Sequence, residues 1–217
     1  MNRFIQGALI VPALCLAACT GSLFRSHATA TAYMLSAVPA SHAEPAPAPG
    51  APAAEIPVDL AVLKPKVRAG LESDRIAVLY PDRRLDFFAD ARWSGPLGEV
   101  LQDLAVQEFR SHVRLRTVSG DASVFASAYW LEIEITDFQA EYTFAATAPS
   151  VRVSLRARLG RSADRHLVGQ FVATALKAAA ENRLSSIVDA FANAADASLA
   201  QIAAQAGEEL ATVSEAR

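Results

Sequence analysis

Val151-Arg152-Val153-Ser154-Leu155-Arg156-Ala157-Arg158-Leu159 alternates apolar and polar side chains without a break. Successive side chains of a strand point to opposite faces, so a period of two predicts a strand with one buried and one wet face. Working outward, Tyr129 to Phe144 repeats the pattern, with Leu131, Ile133 and Ile135 on one side and Glu132, Glu134 and Thr136 on the other. Gly160 to Arg165 reads as a turn, and His166 to Leu176 as the returning partner. Together the three runs predict an antiparallel meander.

Upstream, Asp59 to Lys64 is a short strand candidate, Pro65 to Asp74 a loop turning at Gly70, and Arg75 to Tyr80 a buried strand. Leu85 to Phe88 follows as its hairpin partner across Pro81-Asp82-Arg83, and Val113 to Val118 reads as another strand. Between them, Ser94 is placed to cap a helix from Gly95 to about Ser111, with Pro96 tolerated in its first turn. Leu97, Val100, Leu101, Leu104 and Ala105 fall on one side of that helix, and Glu99, Gln102, Asp103 and Arg110 on the other. Trp93, just before it, reads as a large core anchor. A second helix is expected from about Asn182 to Leu210, with Leu184, Ile187, Phe191, Ala194, Ala195, Ser198 and Ile202 as its packing stripe. The alanine in that stripe predicts a close approach to whatever it covers. The expected fold class is α+β: a two-layer sandwich, with a mixed, mostly antiparallel sheet and two main helices packed on it.

The first 57 residues follow different rules. Met1-Asn2-Arg3 precedes an apolar run from Phe4 to Ala18, too short for a transmembrane helix but matching a secretory signal. It ends in Leu16-Ala17-Ala18-Cys19, which resembles the bacterial lipobox, whose cysteine thiol accepts diacylglycerol and becomes the first residue of the mature chain. The competing interpretation is an ordinary signal cleaved nearby, after Ala28 or Ala30. Acyl chains bind by burying methylenes, at roughly 0.8 kcal/mol each, so the two or three expected on Cys19 hold where one would not. Thr20 rather than aspartate follows Cys19, which by similarity to proteobacterial sorting favours the outer membrane.

Thr20 to about Ala30 is a featureless tether reaching roughly 35 Å at full extension. Thr31 to Ala37 alternates and reads as a first strand; Pro39 to Pro57, rich in proline and alanine, has no apolar face to bury and reads as an extended spacer. Pattern alone equally allows everything from Thr20 to Pro57 to be one linker.

Of the two cysteines, Cys15 leaves with the signal and Cys19 is consumed as a thioether, so no disulfide or thiolate metal site is expected. The net charge is −3, and removal of residues 1–18 takes away only Arg3, leaving −4 without a basic run. That excludes the electrostatic footprint of a nucleic-acid binder. His27, His42, His112 and His166 are scattered and show no metal-ligand spacing. No nucleophile elbow, zinc-protease helix or phosphate-cradling loop is present in the sequence. Glu132 and Glu134 share a strand face, as do Arg152, Arg156 and Arg158; both rows are the expected solvated face, pairing across strands. No enzyme, cofactor or metal is expected.

Four features in order resemble the ABC-type transport auxiliary lipoprotein family of paraquat-inducible and mammalian-cell-entry-type lipid transport systems. They are Tyr33-Met34-Leu35; Gly70-Leu71-Glu72-Ser73-Asp74-Arg75-Ile76; Arg92-Trp93-Ser94-Gly95-Pro96-Leu97; and the Tyr129-to-Phe138 strand with a distant helix around Leu199 to Ala203. From the resemblance, Tyr33, Leu35, Gly70, Leu71, Asp74, Arg75, Ile76, Arg92, Trp93, Pro96 and Leu97 are family-signature positions with a structural role. It also implies that Thr31 to Ala37 is a true strand and that residues 39–57 are an insertion. The organisation is then a signal peptide (1–18), a lipidated tether (19–30) and one periplasmic α+β domain (31–217). The implied function is a non-enzymatic docking piece, lipid-anchored at the outer membrane and facing the periplasm. Its partners would be a mammalian-cell-entry-type protein with its ABC ATPase and permease, and a second copy of the chain in a homo-oligomer. Two alternatives stay open. One is another periplasmic lipoprotein interaction module, such as a cell-wall synthase activator or a lipopolysaccharide-export assembly factor. The other is a hydrolase, which would need a clustered polar pocket.

Overall fold

The alternating runs become long strands, and the helically periodic segments become two helices on one face of the sheet. The computed structural model describes residues 30–36, 55–120 and 126–215. In chain order these form β1 (Thr31–Tyr33), β2 (Ile56–Val62), β3 (Lys66–Val67), β4 (Arg75–Leu79), β5 (Leu85–Trp93), α1 (Leu97–His112), β6 (Leu115–Ser119), β7 (Tyr129–Glu141), β8 (Ser150–Arg161), β9 (Leu167–Ala178) and α2 (Leu184–Glu215). The expected signal peptide, Cys19, the expected tether and most of the Pro/Ala stretch lie outside the described residues. β2 starts at Ile56, inside the stretch expected to be spacer.

β7 organises the sheet. Along one edge it pairs antiparallel with β8 from Tyr129↔Arg161 to Glu141↔Ser150, and β9 continues the meander. The other edge is shared end to end by three parallel partners: β2 at Leu60↔Tyr129, β3 at Lys66↔Glu134 and β4 at Leu79↔Glu141. Breaks between the three fall at Pro65, which cannot donate to a ladder, and at Gly70, whose φ of +93° only glycine adopts without strain. β6 flanks β2, and beyond β4 the sheet runs to β5 and then β1. β5 extends past Phe88 to Trp93 because β1 gives it a second partner, with Thr31↔Ala91 and Tyr33↔Trp93 in parallel register.

A strict period of two through β7 would turn Asp137 into the core after Ile135. Instead, a bulge between Ile135 and Asp137 resets the faces, so that Phe138 and Ala140 are buried. One extra residue is a smaller cost than an unpaired buried carboxylate. The buried row of β8, from Val151 to Leu159, faces α2, and the α2 stripe packs against it: Ile187, Phe191, Ala194, Ala195, Ser198 and Ile202 are all buried. Alanine there lets helix and sheet backbones approach, and Ser198 reaches the Val153 carbonyl at 3.4 Å.

The expected cap of the first helix is corrected. α1 begins at Leu97, Pro96 occupies the N-cap position, and no side chain caps it. The Ser94 N–H instead donates to the Tyr33 carbonyl (2.8 Å), and the Leu97 N–H to the Ser73 carbonyl (3.1 Å). Backbone from β1 and from the β3–β4 loop thus does what a serine side chain would have done. Ser94→Ala is therefore expected to change unfolding free energy by less than about 0.5 kcal/mol in urea melts, against the ~1 kcal/mol of a true N-cap serine.

Candidate interaction surface

The signature positions meet where β1, β4, β5 and α1 join. Besides the two bonds at the start of α1, the Trp93 N–H donates to the Asp74 carbonyl at 2.6 Å. Leu35, Leu71, Ile76, Trp93 and Leu97 are buried together, and Tyr33 packs against them. The Trp93 indole sits edge-on to Phe138 (5.9 Å, 76°) and to Phe191 (5.1 Å, 80°), so one side chain joins strand β5, strand β7 and helix α2. Outside this core, the Arg75 guanidinium lies 4.0 Å over the Phe87 ring, and Arg92 stands 3.9 Å from the Asp74 carboxylate. Gly70 and Pro96 are exposed at the turns that shape the junction. This cluster fastens Thr31–Tyr33 and Leu35 into the body of the sheet. Cys19, His27 and His42 lie outside the described residues.

The face of the sheet away from the helices carries the charged rows seen in the sequence. Glu132 is bonded to Arg158, its cross-strand partner, and lies 3.0 Å from Lys66 of β3. Burial pulls its carboxyl upward, but the hydrogen bonds and charges of Arg158 and Lys66 outweigh that and hold it below the usual range. A carboxylate so held is a poor proton acceptor. Arg152 grips Glu141 with two bonds of 2.8 and 3.1 Å, and Glu134 stands opposite Arg156 in register. At the β8–β9 end of this face lies a groove of about 580 Å³ bordered by Ala61, Leu63, Trp130, Glu132, Ser162 and Arg165. The Trp130 ring lies flat over Gly160, where any Cβ would collide with it. Among the described residues no group of His, Cys, Asp or Glu is placed to hold a metal ion, and no helix is long and apolar enough to cross a membrane.

One charged residue escaped the sequence reading. Glu108, on α1, is only 2% exposed, and its carboxylate lies 2.9 Å from His112 Nδ1 one turn on. The sole sequence signal was that Glu/His spacing of four. Burial pushes its carboxyl above the ordinary glutamate range; His112 opposes the shift and Asp196 on α2 adds to it. Because the folded state favours the protonated form, this group's contribution to stability is complete below the ordinary glutamate pKa and fades as pH rises through the raised one. Glu108→Gln should therefore stabilise the domain by roughly 1 kcal/mol at about pH 8 and leave it unchanged near pH 4, measured by urea melts.

Fold and surface together define an α+β module whose described residues offer contact surfaces and tie the segment Thr31–Tyr33 into the sheet. A sequence model of the ABC-type transport auxiliary lipoprotein component family matches residues 33–205, and the chain belongs to that family. Among solved structures, it resembles protein XCC0632 from Xanthomonas campestris, with a TM-score of 0.68 and 22% identity over 76% of this chain and 93% of that one. A second crystal structure, of a protein described only as uncharacterized, aligns with a TM-score of 0.57 and 17% identity over 72% and 96% of the two chains. At these identities the likeness concerns the fold. No curated protein matches the chain in sequence.

Proposed function

We propose that this chain is an auxiliary subunit of a mammalian-cell-entry-type ABC lipid transporter, held at the outer membrane by acylated Cys19 and facing the periplasm. Residues 1–18 are its signal peptide, 19–30 its lipidated tether and 31–217 one periplasmic domain. It works by contact rather than by catalysis. The observation that carries this is the family match over residues 33–205, standing directly behind Leu16-Ala17-Ala18-Cys19. The signature cluster supports it physically, since it locks the residues after the tether into the sheet and passes the membrane attachment to a rigid body.

The test is co-purification of the full acylated chain, extracted from membranes after in vivo crosslinking. A mammalian-cell-entry-type protein with its ATPase and permease should come with it. Recovery of a cell-wall synthase or of lipopolysaccharide-export proteins in their place would overturn the transport assignment.

A further inference from the structure

The strand directions fix the end of the sheet from which the chain enters β1. β1 runs parallel to β5, and β5 starts at Leu85, so the chain arrives at Thr31 from the side where β5 begins. The same end holds the close of β4 and β7, the start of β8, the close of β9 and the start of α2. From the level of Ala91, Thr31's partner, this end is within about 20 Å. Cys19 precedes Thr31 by twelve residues, a reach of roughly 40 Å at full extension, so the tether spans that distance with ample slack. Reaching the opposite end would force the chain to reverse at Thr31 and run about 30 Å alongside the sheet, consuming about three-quarters of that reach before the turn itself is made.

The surface at the near end has the chemistry of a membrane interface. Phe144, in the β7–β8 connection, is 93% exposed, and Leu85 is 41% exposed. Beside them Tyr80 and Tyr142 stack at 5.7 Å, and the Tyr142 hydroxyl is fixed by Asn182 at 2.6 Å. The connection from Thr143 to Pro149 carries no charge. Nearby, Arg84 lies between Asp86 (2.9 Å) and Asp82 (3.8 Å) and Arg183 beside Glu181 (3.5 Å), while Arg83 and Lys177 enter no ion pair among the described residues. The turn from Asp82 to Asp86 is balanced in charge, so Lys177 supplies the surplus cation. The opposite hairpin tip, Arg161-Ser162-Ala163-Asp164-Arg165-His166, has no large apolar side chain of its own. Beside it Leu167 is 39% exposed and Trp130 borders the groove, but no side chain among the described residues there projects as freely as Phe144. Aromatic side chains beside cations are the usual composition of surfaces seated in the headgroup region, where apolar groups enter about 5–10 Å.

Resting on the anchoring reading above, we infer that the end formed by Phe144, Tyr142, Tyr80, Leu85, Arg83 and Lys177 lies against the bilayer surface. There Phe144 enters the headgroup layer, and Arg83 and Lys177 face the lipid phosphates. The tether then orients the domain as well as holding it, and the polar β8–β9 tip points into the periplasm.

The experiment uses the acylated chain in vesicles of phosphatidylethanolamine and phosphatidylglycerol. An environment-sensitive fluorophore is placed on Phe144→Cys or, separately, on Ala163→Cys; both positions are exposed, so neither change disturbs the core. Attachment of the acyl group is read by mass on the same sample. Quenching by headgroup-depth spin-labelled lipid should be about threefold stronger at 144 than at 163, with a blue-shifted emission only at 144. Equal quenching at the two positions, or stronger quenching at 163, in a chain carrying its acyl mass would overturn the orientation alone. A chain without that mass would overturn the anchoring as well.

Discussion

Trp93→Ala is expected to cost about 3–5 kcal/mol, because a fully buried indole leaves a cavity that its neighbours fill only in part. Trp93 is 1% exposed and wedged between Phe138 and Phe191, so its removal loosens β5, β7 and α2 together. A domain of this size is stable by about 5–15 kcal/mol in total, so the variant should be partly unfolded at 37 °C and show a much lower urea midpoint. Trp130 remains as the fluorescent reporter. Trp130→Ala serves as the comparison: its ring lies half-exposed on the open face over Gly160, and the loss should be no more than about 1.5 kcal/mol. Equal losses would mean that the aromatic cluster is not what joins the two layers.

Cys19→Ser carries the second large effect. On the proposed anchoring, serine lacks the nucleophilic sulfur that would accept diacylglycerol, so neither acylation nor the cleavage that depends on it should occur. Two or three acyl chains at roughly 0.8 kcal/mol per methylene make attachment effectively permanent, and in a cleaved chain without them nothing comparable replaces it. Fractionation should show the wild type with membranes as the short, acylated form, and the variant without acyl mass: either a longer precursor still held by its uncleaved signal segment or, where the signal is cut instead after Ala28 or Ala30, free in the periplasm. Contact through the Phe144 end alone is too small to retain the cleaved form through a salt wash.

Much of the fold was legible because side-chain period reports local geometry. The alternation of Val151 to Leu159 and of Leu131 to Ile135 gave the meander, and the three-to-four spacing of Leu97 to Ala105 gave α1. What was hidden depends on distant chain. The parallel ladders of β2, β3 and β4 along one edge of β7 join residues 62 to 69 positions apart and leave no local period. Ser94 looked like a cap because its chemistry is right for one, but carbonyls of Tyr33 and Ser73 already held the nearby N–H groups. The bulge after Ile135 was invisible until the cost of burying Asp137 was weighed. Of the interaction surface, the charged rows were readable from alternation. Their partners were not, since Lys66 reaches Glu132 from a strand only two residues long, and Arg152 grips Glu141 rather than Glu132 or Glu134. Glu108 was missed because a polar residue on an amphipathic helix normally faces water, and only the position of α2 covers it.

The most direct measurement is tandem mass spectrometry of the N-terminal peptide from wild-type protein extracted from membranes. The expected peptide begins at Cys19, with a diacylglyceryl thioether on its sulfur. An unmodified peptide beginning after Ala28 or Ala30 would contradict the anchoring on which both function and orientation depend.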